Sequence, residues 1–411
     1  MQCKKTTSFV VYIFVLLVLS SCSSYMTQQD SFFSKFNRGQ FKDAAEMIKG
    51  KSEQEGKDQI LYLLDRGSAL FEAQDYKGAI DVFTKAERLT EIKDYTSINE
   101  EVVSVITTDN FKKYIPLDYE QIMLSTYLAL SYYMIGDYEG ALVECRRINN
   151  LVYKLKTKGM NAFEELPIAW YISATIYEKQ QKFDDAFIDY KKVLELKPDF
   201  NQAIFDTYRT ARLSGNIQAA DELNTKYSNF DLRTYFKGIK NKKYGAIVVV
   251  YFDGQIPIKR QRRGNQMLPE FYTRTFNKSF LTIKNTNGSD IAKTSEILDL
   301  EYIARKNLDE RVGRIIAKRL LGVGTQVAIG YGVAKATKSD ALGILAGLLV
   351  NAAATPDLRS WSTLPRSFQS TRFYLPTGLH KLTFSFDRLK PIERDVDVKA
   401  GDTQILMYRS L

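Results

Sequence analysis

Few residues of this chain belong to the types that carry out catalysis or bind metals. Its 411 residues include one histidine, His380, which lies beside a predicted hairpin turn, and three cysteines that form no pair. A histidine triad and a histidine-based zinc site are therefore excluded. No nucleotide-binding glycine string and no GxSxG string occurs. We predict no catalytic residue, no metal site and no cofactor, and a hydrolase that uses only carboxylates is the alternative left open.

The residue with the clearest expected chemistry is Cys22, which follows an N-terminal export leader. Residues 1–21 combine a basic start with an apolar run of signal-peptide length, and residues 19–22 read Leu-Ser-Ser-Cys. This string looks like a bacterial lipobox, in which the cysteine becomes the acylated N-terminus of the mature chain. We predict a signal peptide over 1–21, lipidation at Cys22 and a polar tether over 22–30. A plain secretory signal with a chance cysteine is the alternative.

A second group with expected chemistry is basic. The chain has a net charge of +10, and Lys259, Arg260, Arg262 and Arg263 form a cluster in a predicted loop. Such a cluster is suited to the phosphate groups of lipids or to an acidic partner. The alternative is a solvated loop without a ligand. Nucleic acid is not expected as a partner because the leader predicts export.

The first part of the chain, residues 31–239, carries a helical repeat. A large residue followed three positions later by alanine recurs at Phe41/Ala44, Tyr76/Ala79, Tyr138/Ala141, Phe183/Ala186 and Ile217/Ala220. Small residues let paired helices approach closely, and large residues fill the space to the next pair. The best match, Trp170 to Pro198, resembles the tetratricopeptide repeat, and insertions are predicted at about 90–118 and 152–165. Trp170 and the lone Cys145 are expected in the core.

The second part, residues 240–411, begins where the periodicity changes and is predicted to be a mixed domain. Apolar β-branched and alternating runs predict strands at 244–252, 280–284, 373–386 and 396–408, the last two interrupted by turns at Gly378 and Gly401. Apolar residues at helical spacing predict a helix over 296–321.

Residues 320–354 form an unusual stretch within this second part. Two apolar runs rich in Gly and Ala are separated by charged residues. Each run is shorter than the ~20 residues that a membrane span needs. A tightly packed helical hairpin is the prediction, and reversible insertion into a membrane is the alternative.

Several strings in the second part carry a family resemblance. Leu375–His380, with its Pro-x-Gly-x-His pattern, and the later Ala-Gly-Asp at 400–402 resemble small β-sandwich modules of the PEGA or transthyretin type. With Asp253-Gly254, Leu300–Leu320, Arg359–Pro365 and the repeats, they make the chain similar to an uncharacterised family of bacterial envelope lipoproteins that contain tetratricopeptide repeats. The resemblance implies no enzymatic residues and points towards cell-wall synthesis.

These observations predict an α+β chain, in which a tetratricopeptide-type solenoid precedes a mixed domain with a Gly/Ala-rich helical hairpin and a β-sandwich-like C-terminal module. Arrays of this kind present a groove that binds a peptide or a partner helix. We predict a non-enzymatic lipoprotein of the outer membrane, facing the periplasm, whose groove binds another envelope protein. A glycan-binding surface lipoprotein and a membrane-active scaffold that uses 320–354 are the alternatives.

Overall fold

The structure is a computed structural model that describes residues 25–100, 113–157, 166–239, 243–273, 277–310, 312, 356–387 and 389–411. The predicted leader, Cys22 and the predicted hairpin 320–354 lie outside the described residues. Within them the fold is α+β, with a helical array followed by a part built from strands. No helix in this described part is long and apolar enough to cross a membrane.

Helices fill the described residues before 240. They are α1 (Tyr25–Asn37), α2 (Phe41–Met47), α3 (Lys49–Glu53), α4 (Gln59–Glu72), α5 (Tyr76–Glu100), α6 (Asp118–Met134), α7 (Tyr138–Thr157), α8 (Pro167–Lys179), α9 (Phe183–Leu196), α10 (Asn201–Leu213), α11 (Ile217–Lys226) and α12 (Leu232–Ile239). Most of the segment 22–30, predicted as a tether, is therefore helical. Phe36 of the same helix is buried against the ring of Phe41 and ties α1 to the array.

The pattern of a large residue and an alanine marks the second helix of each pair. The large residues Phe41, Tyr76, Tyr138, Phe183 and Ile217 are the first residues of α2, α5, α7, α9 and α11, and the alanine three positions later is fully buried each time. Gly136 and Gly215 precede two of these helices with φ of 82° and 80°, a conformation that favours glycine. The side chains of Asp137 and Asn216 then cap the helices by accepting backbone N–H bonds. The predicted repeat phase is confirmed.

The described residues after 243 form three sheets from β1 (Tyr244–Asp253), β2 (Ile258–Arg262), β3 (Asn265–Tyr272), β4 (Leu281–Lys284), β5 (Asp290–Lys293), β6 (Ser295–Asp299), β7 (Ser367–Pro376), β8 (Gly378–Phe386), β9 (Ile392–Val398) and β10 (Thr403–Ser410). We call β10-β1-β7-β6 the inner sheet and β5-β4-β8-β9 the outer sheet. Strands β2 and β3 pair as a separate hairpin. In the inner sheet β10 runs parallel to β1, and the other pairs are antiparallel.

The inner sheet is buried on both faces because alternate residues of its strands enter different cores. On β1, Ile247 and Val249 pack with Phe384 and other residues of the outer sheet, so the two sheets form a sandwich. The intervening Val248 and Val250 belong to the core that includes the helices. Burial on both sides explains why the sequence of β1 is apolar throughout rather than alternating.

The helix predicted over 296–321 begins later than expected. Residues 295–299 form β6, because Leu298 is buried where this strand pairs with β7. The helix that follows, α13, occupies 300–310, and the Asp299 side chain caps it by accepting a backbone N–H three residues on. Residues from 313 to 355 lie outside the described part of the chain.

The C-terminal strand–turn–strand segment is present, but its two strands lie in different sheets. Strand β9 pairs with β8 in the outer sheet, and β10 pairs with β1 in the inner sheet. The turn between them contains Gly401 with φ of 68°. This turn passes so close to β1 that a Cβ atom added to Gly245 would lie 2.5 Å from the carbonyl oxygen of Lys399. Glycine at 245 is therefore required by the crossover.

Candidate functional site: the inner face of the repeats

The first helices of the pairs, α4, α6, α8 and α10, meet the strands on one side, which we call the inner face. Phe71 of α4 and Tyr127 of α6 each place their ring centroid 6.0 Å from that of Phe252 on β1. The hydroxyl of Tyr133 on α6 donates to the carbonyl oxygen of Thr403 on β10 at 3.0 Å. The groove predicted to receive another protein is therefore filled by the chain's own C-terminal part.

Trp361 is the largest fully buried side chain at this contact, and it lies between α4, α5 and α6. Its ring centroid is 5.6 Å from that of Tyr127 and 5.8 Å from that of Phe83. The indole N–H donates to the hydroxyl oxygens of Ser68 at 2.9 Å and Thr363 at 2.8 Å. The indole is thus held by both apolar packing and hydrogen bonds.

Two buried carboxylates complete the surroundings of Trp361. Glu120 of α6 accepts the backbone N–H of Trp361 at 2.8 Å and the hydroxyl of Tyr114 at 2.6 Å. Asp65 of α4 accepts the hydroxyl of Thr363 at 3.0 Å. Tyr114 lies in the insertion predicted at 90–118, and its ring centroid is 5.5 Å from the guanidinium of Arg359, so the described end of this insertion contacts the C-terminal part of the chain.

Arg359 enters the same face two residues before Trp361. Its guanidinium donates to the Asp58 carboxylate at 2.7 Å and to that of its near neighbour Asp357 at 2.7 Å. It also lies 5.5 Å from the ring centroid of Tyr114, a cation–π contact. Burial would lower the pKa of Arg359, but the two aspartates outweigh this effect and raise it, so the charge is fixed.

We call residues 357–364 the docking segment. It lacks regular strand or helix structure and contains a turn at 362–363. Its carbonyl oxygens accept hydrogen bonds from the C-terminal part: that of Arg359 from Lys259 at 2.8 Å, that of Thr363 from Arg409 at 2.6 Å, and that of Leu364 from the backbone of Ile256 at 2.9 Å. Residues of the strand-built part thus bind three carbonyl oxygens of this segment, whereas the helices bind its side chains and the backbone N–H of Trp361.

A second polar contact, between α8, α10 and β7, is a cluster of buried charges. Arg372 of β7 donates to Glu178 at 2.8 Å and to the Tyr190 hydroxyl at 2.6 Å, and its Nε lies 3.1 Å from an oxygen of Asp206. Arg209 donates to both oxygens of Glu178, at 2.8 and 2.7 Å. Two guanidiniums therefore balance two carboxylates.

The charges in this cluster are held in place by one another. Burial would raise the pKa of Glu178, but Arg209 and Arg372 outweigh it and hold that pKa well below its ordinary value. Burial would lower the pKa of Arg372, and the carboxylates of Asp206 and Glu178 raise it instead. Glu178, Arg209 and Arg372 are therefore charged at neutral pH, and removing one of them leaves an unbalanced buried charge.

Further ion pairs connect the two halves of the chain. Arg409 of β10 pairs with Glu72 of α4 at 2.9 Å, and burial raises the pKa of Glu72 in spite of that arginine. Lys179 of α8 pairs with Asp402 at 2.5 Å. The bridges of Arg359, Arg372 and Arg409 place the arginine on the C-terminal part and the acid on the helical part. The helical side of the contact also carries Arg209 and Lys179, so charges of both signs are paired across it.

The basic residues predicted to bind an anion lie on the β2–β3 hairpin rather than in a loop. Lys259 is buried and donates to the docking segment, while Arg260 pairs with Glu270 at 3.0 Å. Arg262 lies 3.8 Å from a carboxylate of α13, and Arg263 is exposed. Lys259 faces away from its neighbour Arg260 because successive strand residues alternate between faces, and Arg263 lies in the turn after β2. Anion binding by this group stays a prediction.

Other residues singled out from the sequence have structural contacts. His380 Nε2 lies 2.7 Å from the carbonyl oxygen of Pro376 across the β7–β8 turn. Cys145 is buried, and burial raises its thiol pKa to about 12. Trp170 is half-buried against the core. Within the described residues, no group of three or more His, Cys, Asp or Glu is arranged to hold a metal ion.

A cleft of about 220 Å³ at the end of the inner sheet was not anticipated from the sequence. The buried carboxylate of Asp253 lines it and accepts the hydroxyls of Ser279 at 2.8 Å and Ser410 at 2.9 Å. Glu301 also lines it and pairs with Arg366 at 2.7 Å. Asp253 at the end of β1 thus binds Ser410 at the end of β10 and Ser279 just before β4. The polar groups that line the cleft bind one another.

The tetratricopeptide repeat family matches residues 168–200, which hold α8 and α9. The helical array thus contains a repeat of the tetratricopeptide type at these residues. Among solved structures the chain is similar to MamA from Desulfovibrio magneticus RS-1, at 16% identity over 53% of this chain and 96% of that one, with a TM-score of 0.34. It is similar also to YrrB, described as a TPR protein with an unusual peptide-binding site, at 14% identity over 55% and 97%, with a TM-score of 0.35. Likenesses at this level carry no argument about function. No curated protein sequence matches the chain.

Proposed function

We propose that this chain is a non-enzymatic lipoprotein of the bacterial cell envelope that serves as an interaction scaffold for another envelope protein. Acylated Cys22 would hold it to the outer membrane on the periplasmic side. The process served would be cell-wall synthesis or envelope assembly. The repeats supply the binding surface, and the strand-built part is the element that this surface already binds within the same chain.

The observation that carries the proposal is the way in which the inner face holds the docking segment. Trp361, Arg359 and Thr363 are each met by specific hydrogen-bonding groups of the helices, in addition to apolar packing. Polar contacts combined with apolar packing are also how protein surfaces bind an extended segment of another chain. The inner face therefore has the chemistry of a peptide-binding surface.

Cross-linking in living cells tests the proposal most directly. The lipidated full-length chain is cross-linked, purified from solubilised envelopes, and its partners are identified by mass spectrometry. We expect an envelope protein to be recovered, and we expect the Cys22→Ser variant to lose both acylation and membrane association. A Ser23→Ala variant, changed next to the same site, should keep both. Recovery of no envelope protein, or an unmodified Cys22 in the mature chain, would refute the proposal.

The alternative of glycan binding receives no support from the tryptophans. The chain has two. Trp361 is fully buried and Trp170 is half-buried against the core, so neither provides the open aromatic platform that sugar stacking requires. The alternative that residues 320–354 act on membranes concerns a segment outside the described residues. The interaction scaffold is therefore the function that the described residues favour.

A further inference from the structure

The arginines of the β2–β3 hairpin lie on an exposed surface that also carries tyrosines, and α13 continues this surface. We call it the arginine–tyrosine face, and its members are Arg260, Arg262, Arg263, Tyr272, Tyr302 and Arg305. We propose that this face binds the anionic phospholipid surface of the membrane that carries the lipid anchor. The proposal rests on the membrane attachment proposed above, and it names the part of the protein that meets the membrane.

The hairpin has one buried side and one open side. Lys259 and Phe271 are paired across the strands and are buried on the side of the core. On the other side, the guanidinium of Arg260 lies 3.9 Å from the ring centroid of Tyr272, which stays 44% exposed. An arginine stacked on an exposed tyrosine presents a charge and an apolar ring together. This combination suits the boundary between lipid headgroups and acyl chains, where tyrosines are enriched.

One side of α13 extends this surface. Tyr302, Arg305 and Asp309 share that side because they are three and four residues apart in a helix. Arg305 donates to the hydroxyl of Thr273, just after β3. Asp309 lies 3.8 Å from Arg262 of β2. Tyr302 is 56% exposed, so exposed tyrosines from two elements lie among arginines from the same two elements. Such a group differs from the single apolar residues that are scattered over any protein surface.

Positive charge is in excess on the arginine–tyrosine face. The two arginines of β2 each lie beside one acid, Glu270 and Asp309. Glu301 is buried beneath the face, where Arg305 and Arg366 share its single charge. The remaining arginine is exposed in the turn after β2. The arginines therefore outnumber the acids that they contact, and an excess of this sign is attracted to anionic headgroups.

The position of α1 keeps this face within reach of the membrane. Two residues separate Cys22 from Tyr25, where α1 begins, so this connection spans at most about 10 Å. The 13 residues of α1 add about 20 Å. At the far end of α1, Asn37 accepts a hydrogen bond from Gln255 at 2.6 Å, and β2 begins three residues later. The hairpin therefore starts within about 50 Å of the anchor, and at the effective concentration that such a tether gives, a weak affinity keeps the face on the membrane.

Vesicle co-sedimentation of the mature chain with Cys22→Ser, which carries no acyl group, tests the face by itself. We expect binding to vesicles of phosphatidylcholine with phosphatidylglycerol, and none to vesicles of phosphatidylcholine alone. Each basic residue near an anionic surface strengthens binding about fivefold. The triple variant Arg260→Gln/Arg262→Gln/Arg263→Gln should therefore bind the anionic vesicles about 100-fold more weakly.

A matched control removes the same charge elsewhere. Lys381→Gln/Lys390→Gln/Lys399→Gln changes three exposed residues in and around the outer sheet and should bind as the unaltered chain does. Raising the salt from about 0.1 to 1 M shortens the screening length from about 10 to 3 Å and should release the chain. Equal binding to both kinds of vesicle, no binding to anionic vesicles, or an equal loss in the two triple variants would overturn the proposal.

A second measurement uses the acylated chain on the anionic vesicles. Cys145 is buried and Cys22 is acylated, so a dye that reacts with thiols labels the cysteine of Tyr302→Cys. Nitroxide-labelled headgroups should quench this dye. A dye on Lys399→Cys should not be quenched, because Lys399 lies beside the start of β1, about 30 Å from the end that leads to the hairpin. Equal quenching at the two positions, or none at 302, overturns the proposal.

The two proposals fail in different ways. An unmodified Cys22 in cells would overturn the lipid anchor and leave the vesicle result for the unacylated chain standing. Loss of selectivity for anionic vesicles would overturn the role of the arginine–tyrosine face and leave the anchor and the scaffold function in place.

Discussion

The buried charge cluster between α8, α10 and β7 gives the sharpest prediction. In Arg372→Met, a side chain of similar length keeps the packing but removes one of two guanidiniums, so that Glu178 and Asp206 share Arg209 alone. Arg372 is fully buried and contacts both carboxylates. One uncompensated negative charge then remains in the interior, and breaking a buried pair in this way costs about 3–5 kcal/mol. We expect the free energy of unfolding at pH 7 to fall by that amount.

The loss should depend on pH in a definite direction. In the wild-type chain the pKa of Glu178 is held below its ordinary value, so its contribution to stability is present at neutral pH and is lost only as the pH falls through the acidic range. In the variant a buried carboxyl group with too few cations has a raised pKa. Such a carboxyl group lowers the free energy of unfolding as the pH rises above about 4.3, the pKa of glutamate in the unfolded chain. The gap between the two proteins should therefore narrow as the pH is lowered from 7 towards 4.5.

Urea unfolding of a chain that begins after Cys22, followed by circular dichroism, measures these quantities. The double variant Arg372→Met/Glu178→Gln restores charge balance and should recover about 1–3 kcal/mol of the loss. Lys381→Met removes an exposed ion pair with Glu393 on the outer sheet and should leave the free energy of unfolding unchanged. A loss below about 1 kcal/mol, or a gap that does not vary with pH, would refute the account of the cluster.

Three further changes test other parts of the fold by the same unfolding assay. Trp361→Phe keeps an aromatic ring but removes the indole N–H that donates to Ser68, and should lower the free energy of unfolding by about 1–3 kcal/mol. A change below about 0.5 kcal/mol would contradict the stabilising role of this hydrogen bond. Gly245→Ala should cost about 1–3 kcal/mol because its Cβ would meet a backbone carbonyl at 2.5 Å, and an unaltered stability would mean that the crossover turn moves freely. Glu87 of α5 lies 3.1 Å from Arg147 of α7, but burial and neighbouring carboxylates raise the pKa of Glu87 to about 8. Wild-type stability should therefore fall between about pH 4.5 and 8 relative to that of Glu87→Gln. Parallel pH profiles of the two proteins would show that Arg147 compensates the charge fully.

The local part of the fold was predictable because its determinants lie close together in the sequence. A large residue and an alanine three positions apart mark the start of each second helix, and Tyr138 and Ala141 behave in this way as Phe183 and Ala186 do. Strand β1 was found from its β-branched run. The start of α13 was misplaced, because Leu298 fits a helical face as well as a strand and only pairing with β7 decides between them.

The position of the docking segment could not be predicted from local pattern, because its burial depends on residues far away in the chain. Arg359, Ser360, Ser362 and Thr363 are polar, and a polar string before a strand is typical of an exposed loop. The groups that satisfy them, such as Asp58, belong to the other half of the chain. Only the assembled fold shows that these polar side chains are buried rather than solvated.

The sequence predicted an open groove, although one of its features indicates that the inner face is covered. A helix that packs on one side only is apolar on one side only, whereas a helix that is apolar all round must be covered from both sides. Helices α6 and α8 are buried along almost their whole length. The second helices of the repeats pack against one side of them, and the inner sheet packs against the other. The buried acids on these helices, Glu120 and Glu178, then required cationic or donating partners inside the protein. An array whose first helices have this composition cannot present an open groove to water, so any partner that binds there must replace something already bound.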